Sequence, residues 1–309
     1  MSNDSTGRLV LRRQALADGL SDDELGRLTR RREWRRLRRG AYVDGTIPVE
    51  VAARHQMLVQ ATLSGLRRPA VVSHQSAAVL QGLRLWGVPL SRVHVTRRPP
   101  AWNDSGTTLV THVGRIRDGD IEVVGGVPVT SAARTAVDLA RGQPFEVAVV
   151  VLDAALRDRL VDSVGLREAL AAIEGAPGTR SAARAVGFAD GRSESVGESR
   201  SRVLLHRLGP APSTLQLEVR AAGGRLVGRA DFGWEEQRIV GEFDGRVKYG
   251  RLLRPGQGPG DVVFDEKLRE DEIRDEGWGV VRWTWGDLAV PGRVGDRVGR
   301  ALARGARAC

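Results

Sequence analysis

Three carboxylates in the last third of the chain are spaced so that they could share one face of a β-sheet. Leu226–Trp234 and residues 238–243 alternate apolar and polar side chains on either side of a short polar turn, which predicts a β-hairpin. The position of the turn sets Asp231 opposite Glu242, and opposed Cβ atoms in a sheet lie roughly 5 Å apart. Asp244 follows two residues later and points to the same face, because strand side chains alternate.

A metal ion would explain such a cluster of acids. Like charges at this distance repel, so a purely structural sheet would normally avoid the arrangement. A divalent cation removes the repulsion, and sites made of carboxylate oxygens alone suit Mg²⁺ or Mn²⁺. We therefore predict that Asp231, Glu242 and Asp244 bind Mg²⁺ or Mn²⁺. The alternative is a solvated sheet face that carries acids and binds no ligand.

The same residues resemble a known catalytic signature. Asp231, ten intervening residues and then Glu242-Phe243-Asp244 are similar to the Asp…(Asp/Glu)-x-Lys signature of the restriction-endonuclease-like, or PD-(D/E)XK, fold. The similarity is strongest to the compact branch of that fold related to very-short-patch-repair (Vsr) endonucleases. The resemblance implies a carboxyl-terminal restriction-endonuclease-like α/β domain. It also implies phosphodiester hydrolysis, in which Mg²⁺ lowers the pKa of a bound water and stabilises the phosphate under attack.

The resemblance implies further site residues. The family carries a glutamate on its first helix, and Glu198 matches that position. Ser195 and Glu198 also fit a capping box, and the two interpretations do not exclude each other. The usual signature has lysine where Asp244 stands, to stabilise charge that develops on the phosphate. The two lysines of the chain, Lys248 and Lys267, both follow the motif, and Lys267 is preferred because its helix follows the hairpin. Chance placement of these lysines is the alternative.

A second candidate site is a run of arginines near the amino terminus. A helix over residues 9–18, a second helix capped by Ser21 and Glu24, and a basic strand predict a winged helix-turn-helix. Between residues 27 and 39 there are eight arginines and a single acid, Glu33. Exposed arginines at this density repel one another unless phosphate neutralises them, so we predict contact with double-stranded DNA. A solvated face with no partner is the alternative. The predicted DNA-binding residues are Arg30, Arg31, Arg32, Arg35, Arg36, Arg38 and Arg39.

This segment also resembles the amino-terminal domain of AbiEi-type antitoxins from type IV toxin–antitoxin systems. Their Gly-x-Trp-x-Arg-Leu-Arg-Arg-Gly-x-Tyr pattern matches residues 32–42, with Arg32 in place of the glycine. Residues 73–78 and 129–138 are similar to the core of the same group. The resemblance implies a different function: an antitoxin and transcriptional repressor that neutralises a cognate toxin protein, and whose nuclease-like domain is catalytically inactive.

The middle of the chain offers no chemistry by its spacing. Residues 48–190 are predicted to be mainly helical with a few short strands. The five histidines are scattered along the chain and show no metal-ligand spacing such as His-x-x-x-His. Arg134 and Asp138 are four residues apart on one predicted helix, which indicates an ordinary intrahelical ion pair.

The composition fits a nucleic-acid partner. The net charge is +10 and the pI about 11.0. A genome rich in arginine codons explains the preference for arginine over lysine, but not the excess of positive charge, which favours a polyanion. The single cysteine, Cys309, excludes an internal disulfide and fits a reducing cytoplasm. No apolar signal region begins the chain, and the longest aliphatic run, residues 147–152, is too short to span a membrane.

Taken together, the patterns predict a cytoplasmic α+β multidomain protein. The expected domains are a winged helix-turn-helix over residues 1–47, a mainly helical antitoxin-like domain over 48–190, and a restriction-endonuclease-like domain over 191–309. The expected function is DNA binding combined with Mg²⁺-dependent endonuclease activity, and the alternative is the antitoxin function described above.

Overall fold

The structure, a computed structural model, describes residues 7–245 and 259–308. The described residues form a mixed α and β protein with three sheets. They divide into an amino-terminal unit, Met1–Val151 with Arg159–Gly187, and a carboxyl-terminal unit, Leu152–Asp158 with Phe188–Cys309. The boundary expected after residue 47 falls inside the first unit, and the one expected after residue 190 lies close to the start of the Phe188–Cys309 segment.

The chain begins with a three-stranded antiparallel sheet and two short helices. The sheet has the strand order β1-β3-β2. Its core is formed by apolar side chains of both helices packed on Trp34 and Tyr42. The second helix begins with the predicted capping box, because the Ser21 hydroxyl accepts from the Glu24 N–H and the Glu24 carboxylate accepts from the Ser21 N–H. The elements are β1 Arg8–Leu11, α1 Arg12–Ala17, α2 Asp22–Arg30, β2 Trp34–Arg38 and β3 Ala41–Asp44.

The predicted helix over residues 9–18 is wrong at its start, where the chain forms β1. Val10 packs with Leu25 under the two helices, and Leu11 packs with Ala61 on the other face of the sheet. Both faces of β1 are therefore covered, and its last three residues form a continuous apolar run. Such a run does not distinguish a buried strand from a helix by periodicity alone.

A six-stranded mixed sheet forms the centre of the rest of the amino-terminal unit, with the order β6-β7-β5-β4-β9-β8. Valines from β4, β5 and β9 are fully buried in its core. Helices predominate among residues 48–190, as expected, but their strands unite in one sheet. The strands are β4 Val71–Val72, β5 Val93–Arg97, β6 Asp104–Ser105, β7 Leu109–Val113, β8 Ile121–Val124 and β9 Val127–Thr130. The helices are α3 Val51–Leu63, α4 His74–Leu80, α5 Ala132–Gly142, α6 Phe145–Arg157, α7 Ser163–Ala171 and α8 Thr179–Phe188.

The carboxyl-terminal unit contains a four-stranded sheet with the order β10-β11-β12-β13. The predicted hairpin is present as β11 and β12, and β13 pairs parallel to β12. Strand β10, which the sequence analysis did not predict, forms the outer edge. The strands are β10 Thr214–Arg220, β11 Leu226–Trp234, β12 Ile239–Asp244 and β13 Gly279–Thr284. The helices are α9 Val196–Leu208, α10 Pro259–Asp275, α11 Trp285–Leu288 and α12 Pro291–Ala308.

Aromatic side chains hold α9 against this sheet. Phe232 and Trp283 are buried and stacked with ring centroids 5.3 Å apart. The indole N–H of Trp283 donates to the Ser201 hydroxyl at 2.7 Å. Gly197 lies so close to Phe243 that a Cβ atom there would come within 1.9 Å of the ring. The first turn of α9 therefore requires glycine at this position, since any side chain would collide with β12.

Among the described residues, no helix is both long enough and apolar enough to cross a membrane.

Candidate functional site

The arginines around β2 form an exposed basic surface. Arg30, Arg32, Arg35, Arg36 and Arg39 are all exposed, and within the described part of the chain none of them pairs with a carboxylate. We call these five residues the arginine surface. Trp34, the first residue of β2, is buried against the helices. The next two side chains of the strand, Arg35 and Arg36, are exposed to solvent.

Two of the predicted DNA-binding residues differ from the other five. Arg31 is exposed but lies 4.0 Å from the Glu33 carboxylate. Arg38 is partly buried: its guanidinium donates to the Ala61 carbonyl and, at 3.0 Å, to the Arg39 carbonyl. Burial also lowers the pKa of Arg38. Arg38 thus joins β2 to α3, a role that its sequence context did not indicate.

A cleft of about 610 Å³ lies beside the arginine surface. Four arginines are among the residues that line it: Arg12, Arg13, Arg38 and Arg39. Arg12 forms a hydrogen-bonded ion pair with Asp22, which raises the pKa of the arginine. Arg12 and Arg13 begin α1 and were not predicted to bind DNA, because they lie outside the arginine-rich run of residues 27–39. The antiparallel sheet brings β1 and the start of α1 next to the turn after β2.

The carboxylates Asp231 and Glu242 have the relationship that the hairpin pattern predicts. The ladder pairs Phe232 with Gly241, so the next position along it sets Asp231 opposite Glu242. One Asp231 carboxylate oxygen accepts from the Phe243 N–H at 2.8 Å. The Asp231 side chain is therefore fixed to the neighbouring strand.

Two arginines bind the Glu242 carboxylate. Arg269 on α10 lies 2.8 Å from one oxygen, and Arg282 on β13 lies 2.7 Å from the other. Arg282 also reaches Glu270 at 3.1 Å. The sequence pattern predicted a repulsive cluster of acids around Glu242. The structure instead gives this buried carboxylate two cationic partners, which stabilise its charge.

Glu198 is held by its own helix end and by a neighbouring strand. Its carboxylate accepts from the Glu194 N–H at 2.8 Å, from the Ser195 hydroxyl at 2.8 Å and from the Gln216 amide at 2.9 Å. The Ser195 hydroxyl in turn accepts from the Glu198 N–H, so Ser195 caps α9 as the capping-box pattern predicts, while the Glu198 carboxylate accepts from the N–H of Glu194, the residue before the cap. The bond from Gln216 also attaches Glu198 to β10.

The remaining members of the predicted site are Asp244, Lys267 and Lys248. Asp244 is partly buried at the end of β12, opposite Thr284 of β13. Lys267 is exposed on α10, and Lys248 lies outside the described residues. Within the ranges 7–245 and 259–308, Asp231, Glu242 and Asp244 do not bring their oxygens close enough together to form a three-ligand cluster.

A cluster that does meet this requirement lies in the amino-terminal unit. His74, His94 and His112 place their ring nitrogens within 4.8 Å of one another. The spacing of the histidines along the sequence indicated no metal site, but the fold brings these three together. They are far apart in sequence. His94 on β5 and His112 on β7 lie on strands that pair in parallel. His74 begins α4, which follows β4, the other neighbour of β5. Only the strand order, which the residue spacing does not reveal, brings them together.

No family model matches the chain. The chain is 31% identical over 185 residues to the uncharacterized protein Rv2248 of Mycobacterium tuberculosis (strain ATCC 25618 / H37Rv), and the match covers 60% of this chain and 65% of the relative. The uncharacterized protein MT2308 of M. tuberculosis (strain CDC 1551 / Oshkosh) is similar to the same extent, so the chain spans about 65% of the length of these curated relatives. A crystal structure of the RV2827C protein from M. tuberculosis is similar with a TM-score of 0.38 and 15% identity, over 69% of this chain and 83% of that chain. None of these names assigns an activity.

Proposed function

We propose that the protein binds double-stranded DNA through the arginine surface, and that β1–β3 with α1 and α2 act as a winged helix-turn-helix. The observation that carries the proposal is the exposure of five arginines with no carboxylate partner among the described residues. Arg35 and Arg36 lie on β2, and Arg30, Arg32 and Arg39 lie at the end of α2 and in the turns beside that strand. Like charges held this close along the chain repel one another, and DNA phosphates would relieve that repulsion. The arginine-lined cleft offers a further place for a phosphate group.

The direct test is binding of the full-length protein to a fluorescently labelled duplex, followed by anisotropy. We expect the affinity to fall steeply as salt rises, because neutralised phosphates release their counterions. A single-stranded oligonucleotide and heparin serve as competitors. Affinity that does not change with salt would contradict a phosphate interface and hence the proposal.

For the carboxyl-terminal unit we propose two functions that one experiment separates. The first is Mg²⁺-dependent phosphodiester hydrolysis by Asp231, Glu242 and Asp244, with Lys267 and Glu198 in support. The position of Asp231 opposite Glu242 favours it, because two carboxylates on adjacent strands can share a cation. A carboxylate offers about four lone-pair sites, so Mg²⁺ would bind Glu242 beside its two arginine partners or in place of one of them.

The second function is that of a module without catalysis, as in an antitoxin that uses DNA only for autoregulation. The pairs of Glu242 with Arg269 and Arg282 favour it, because they neutralise the carboxylate without a metal ion. The experiment is DNA cleavage by the purified protein with Mg²⁺, with Mn²⁺ and with chelator. Metal-dependent cutting that Glu242→Gln abolishes would establish hydrolysis. Intact DNA under all three conditions would support the second function, a module without catalysis.

A further inference from the structure

The three histidines of the amino-terminal unit lie on separate elements and point to one place. His74 is the first residue of α4, His94 lies on β5 and His112 lies on β7. Nδ1 of His94 is 2.9 Å from Nε2 of His112. The rings of His74 and His112 are stacked with centroids 3.8 Å apart. His74 and His94 are buried and His112 is partly buried, so the cluster lies at the edge of the core.

Polar partners fix the outer nitrogens of two of these rings. Nδ1 of His74 is 3.0 Å from the Ser73 hydroxyl, which itself accepts from Thr96 at 2.7 Å. Nε2 of His94 is 2.7 Å from the Gln75 side-chain amide. A half-turn of this amide presents its oxygen in place of its nitrogen to the ring. The other nitrogen of His94, Nδ1, faces His112, and Nε2 is the nitrogen of His74 that these contacts leave for a ligand. Metal-binding histidines are oriented in this way, with one nitrogen on the ion and the other hydrogen-bonded to a neighbouring group.

The pKa values of all three imidazoles are lowered from the ordinary value for histidine. Burial, and then repulsion from His112, lower the pKa of His94 to about 3. Burial, and then the charge of Arg141, lower the pKa of His112 to about 4. The pKa of His74 is lowered in the same direction, first by burial.

The backbone at His74 and the adjoining cavity fit a functional site. His74 has φ of 52°, in the left-handed region that side chains other than glycine rarely occupy and that is often retained at functional positions. His112 lines a cavity of about 770 Å³ together with Arg115, Arg134 and Arg141. A ligand that enters this cavity can approach the cluster from the His112 side. Arg134 and Arg141 are both paired with Asp138, so their charge is partly neutralised there.

We propose that His74, His94 and His112 bind one transition-metal ion of the Zn²⁺ type, with a water or a small anion from the cavity as a further ligand. Three-histidine sites with an open position are a known arrangement for Zn²⁺. The ligand atoms are Nε2 of His74, Nδ1 of His94 and Nε2 of His112. Tetrahedral coordination places two such nitrogens roughly 3.3 Å apart, so the hydrogen bond between His94 and His112 lengthens by a few tenths of an ångström to admit the ion. The His74 ring, which stacks on His112 with nearly parallel planes, turns so that its nitrogen also faces the ion.

The test is metal binding by the full-length protein, prepared without a histidine tag and treated with chelator. Zn²⁺ is added in a calorimetric titration, and Co²⁺ is added while the visible absorption that reports nitrogen coordination is recorded. We expect one ion per chain. His112→Gln should abolish the absorption, and Ser73→Ala, which removes a partner of a ligand rather than a ligand, should weaken affinity about 10- to 100-fold.

His206→Gln is the matched control, because His206 is exposed in the carboxyl-terminal unit and should leave binding unchanged. Circular dichroism shows whether each variant is folded, and Ser73→Ala keeps the test decisive if His112→Gln does not fold. Absence of stoichiometric binding to the wild-type protein would overturn the proposal. Equal affinity of the wild type and both site variants would overturn it as well, and the cluster would then be a hydrogen-bonded part of the core.

Discussion

Replacing Glu242 with glutamine tests whether the carboxylate is bound by arginines or repelled by other acids. Glutamine keeps the shape and removes the charge that Arg269 and Arg282 contact. The Glu242 side chain is 11% exposed, and those of the two arginines are 38% and 30% exposed. Breaking a fully buried ion pair costs about 3–5 kcal/mol, whereas an exposed pair contributes about 0–1 kcal/mol. Because the arginines are partly solvated, we expect a loss of about 1–3 kcal/mol in unfolding free energy.

The assay is thermal unfolding followed by calorimetry and circular dichroism. For a chain of this size a loss of 1 kcal/mol lowers Tm by about 2–4 °C, so Glu242→Gln should unfold several degrees below the wild type. Glu218→Gln is the control, because Glu218 pairs with Arg220 on the surface with both side chains about half exposed, and its Tm should hardly change. A Glu242→Gln variant whose Tm equals or exceeds that of the wild type would refute the reasoning. Removing the charge of a carboxylate stabilises the fold only when like charges surround that carboxylate.

Two further substitutions probe the packing of the carboxyl-terminal unit. Gly197→Ala should destabilise the protein in urea denaturation by about 1–3 kcal/mol or more, because the added methyl group collides with Phe243. Gly187→Ala is the control, because a Cβ there meets nothing within 4 Å, and it should be neutral or slightly stabilising. Asp153→Asn should cost about 3–5 kcal/mol, because Asp153 is fully buried and both its oxygens lie 2.8 Å from Arg202; an unchanged urea midpoint would contradict this assignment.

The sequence predicted well those elements whose pattern is local. The hairpin of β11 and β12 follows from alternation on two runs and a polar turn, and its register places Asp231 as expected. The capping box of α2 is a short-range signal and is confirmed. Strand β1 was missed because its run of apolar residues is compatible with either a helix or a strand.

What the sequence did not reveal depends on contacts between distant segments. Arg269 and Arg282 reach Glu242 from a helix and a strand far along the chain, so spacing around the motif indicated only repulsion. The proximity of His94 and His112 requires β5 to lie beside β7. Both findings depend on strand order, which a single sequence specifies only through the complete fold.

The most direct measurement of DNA binding is the dependence of duplex affinity on salt for two variants of equal charge. In the first variant alanine replaces Arg35, Arg36 and Arg39. In the second variant alanine replaces three exposed arginines elsewhere in the same unit: Arg159, Arg167 and Arg180. Each phosphate contact contributes about 0.9 to the slope of log affinity against log salt. We therefore predict that the first variant lowers the slope by roughly 2–3 and that the second leaves it close to the wild-type value. Equal slopes for the wild type and the first variant, or an equal decrease in both variants, would contradict DNA binding through the arginine surface.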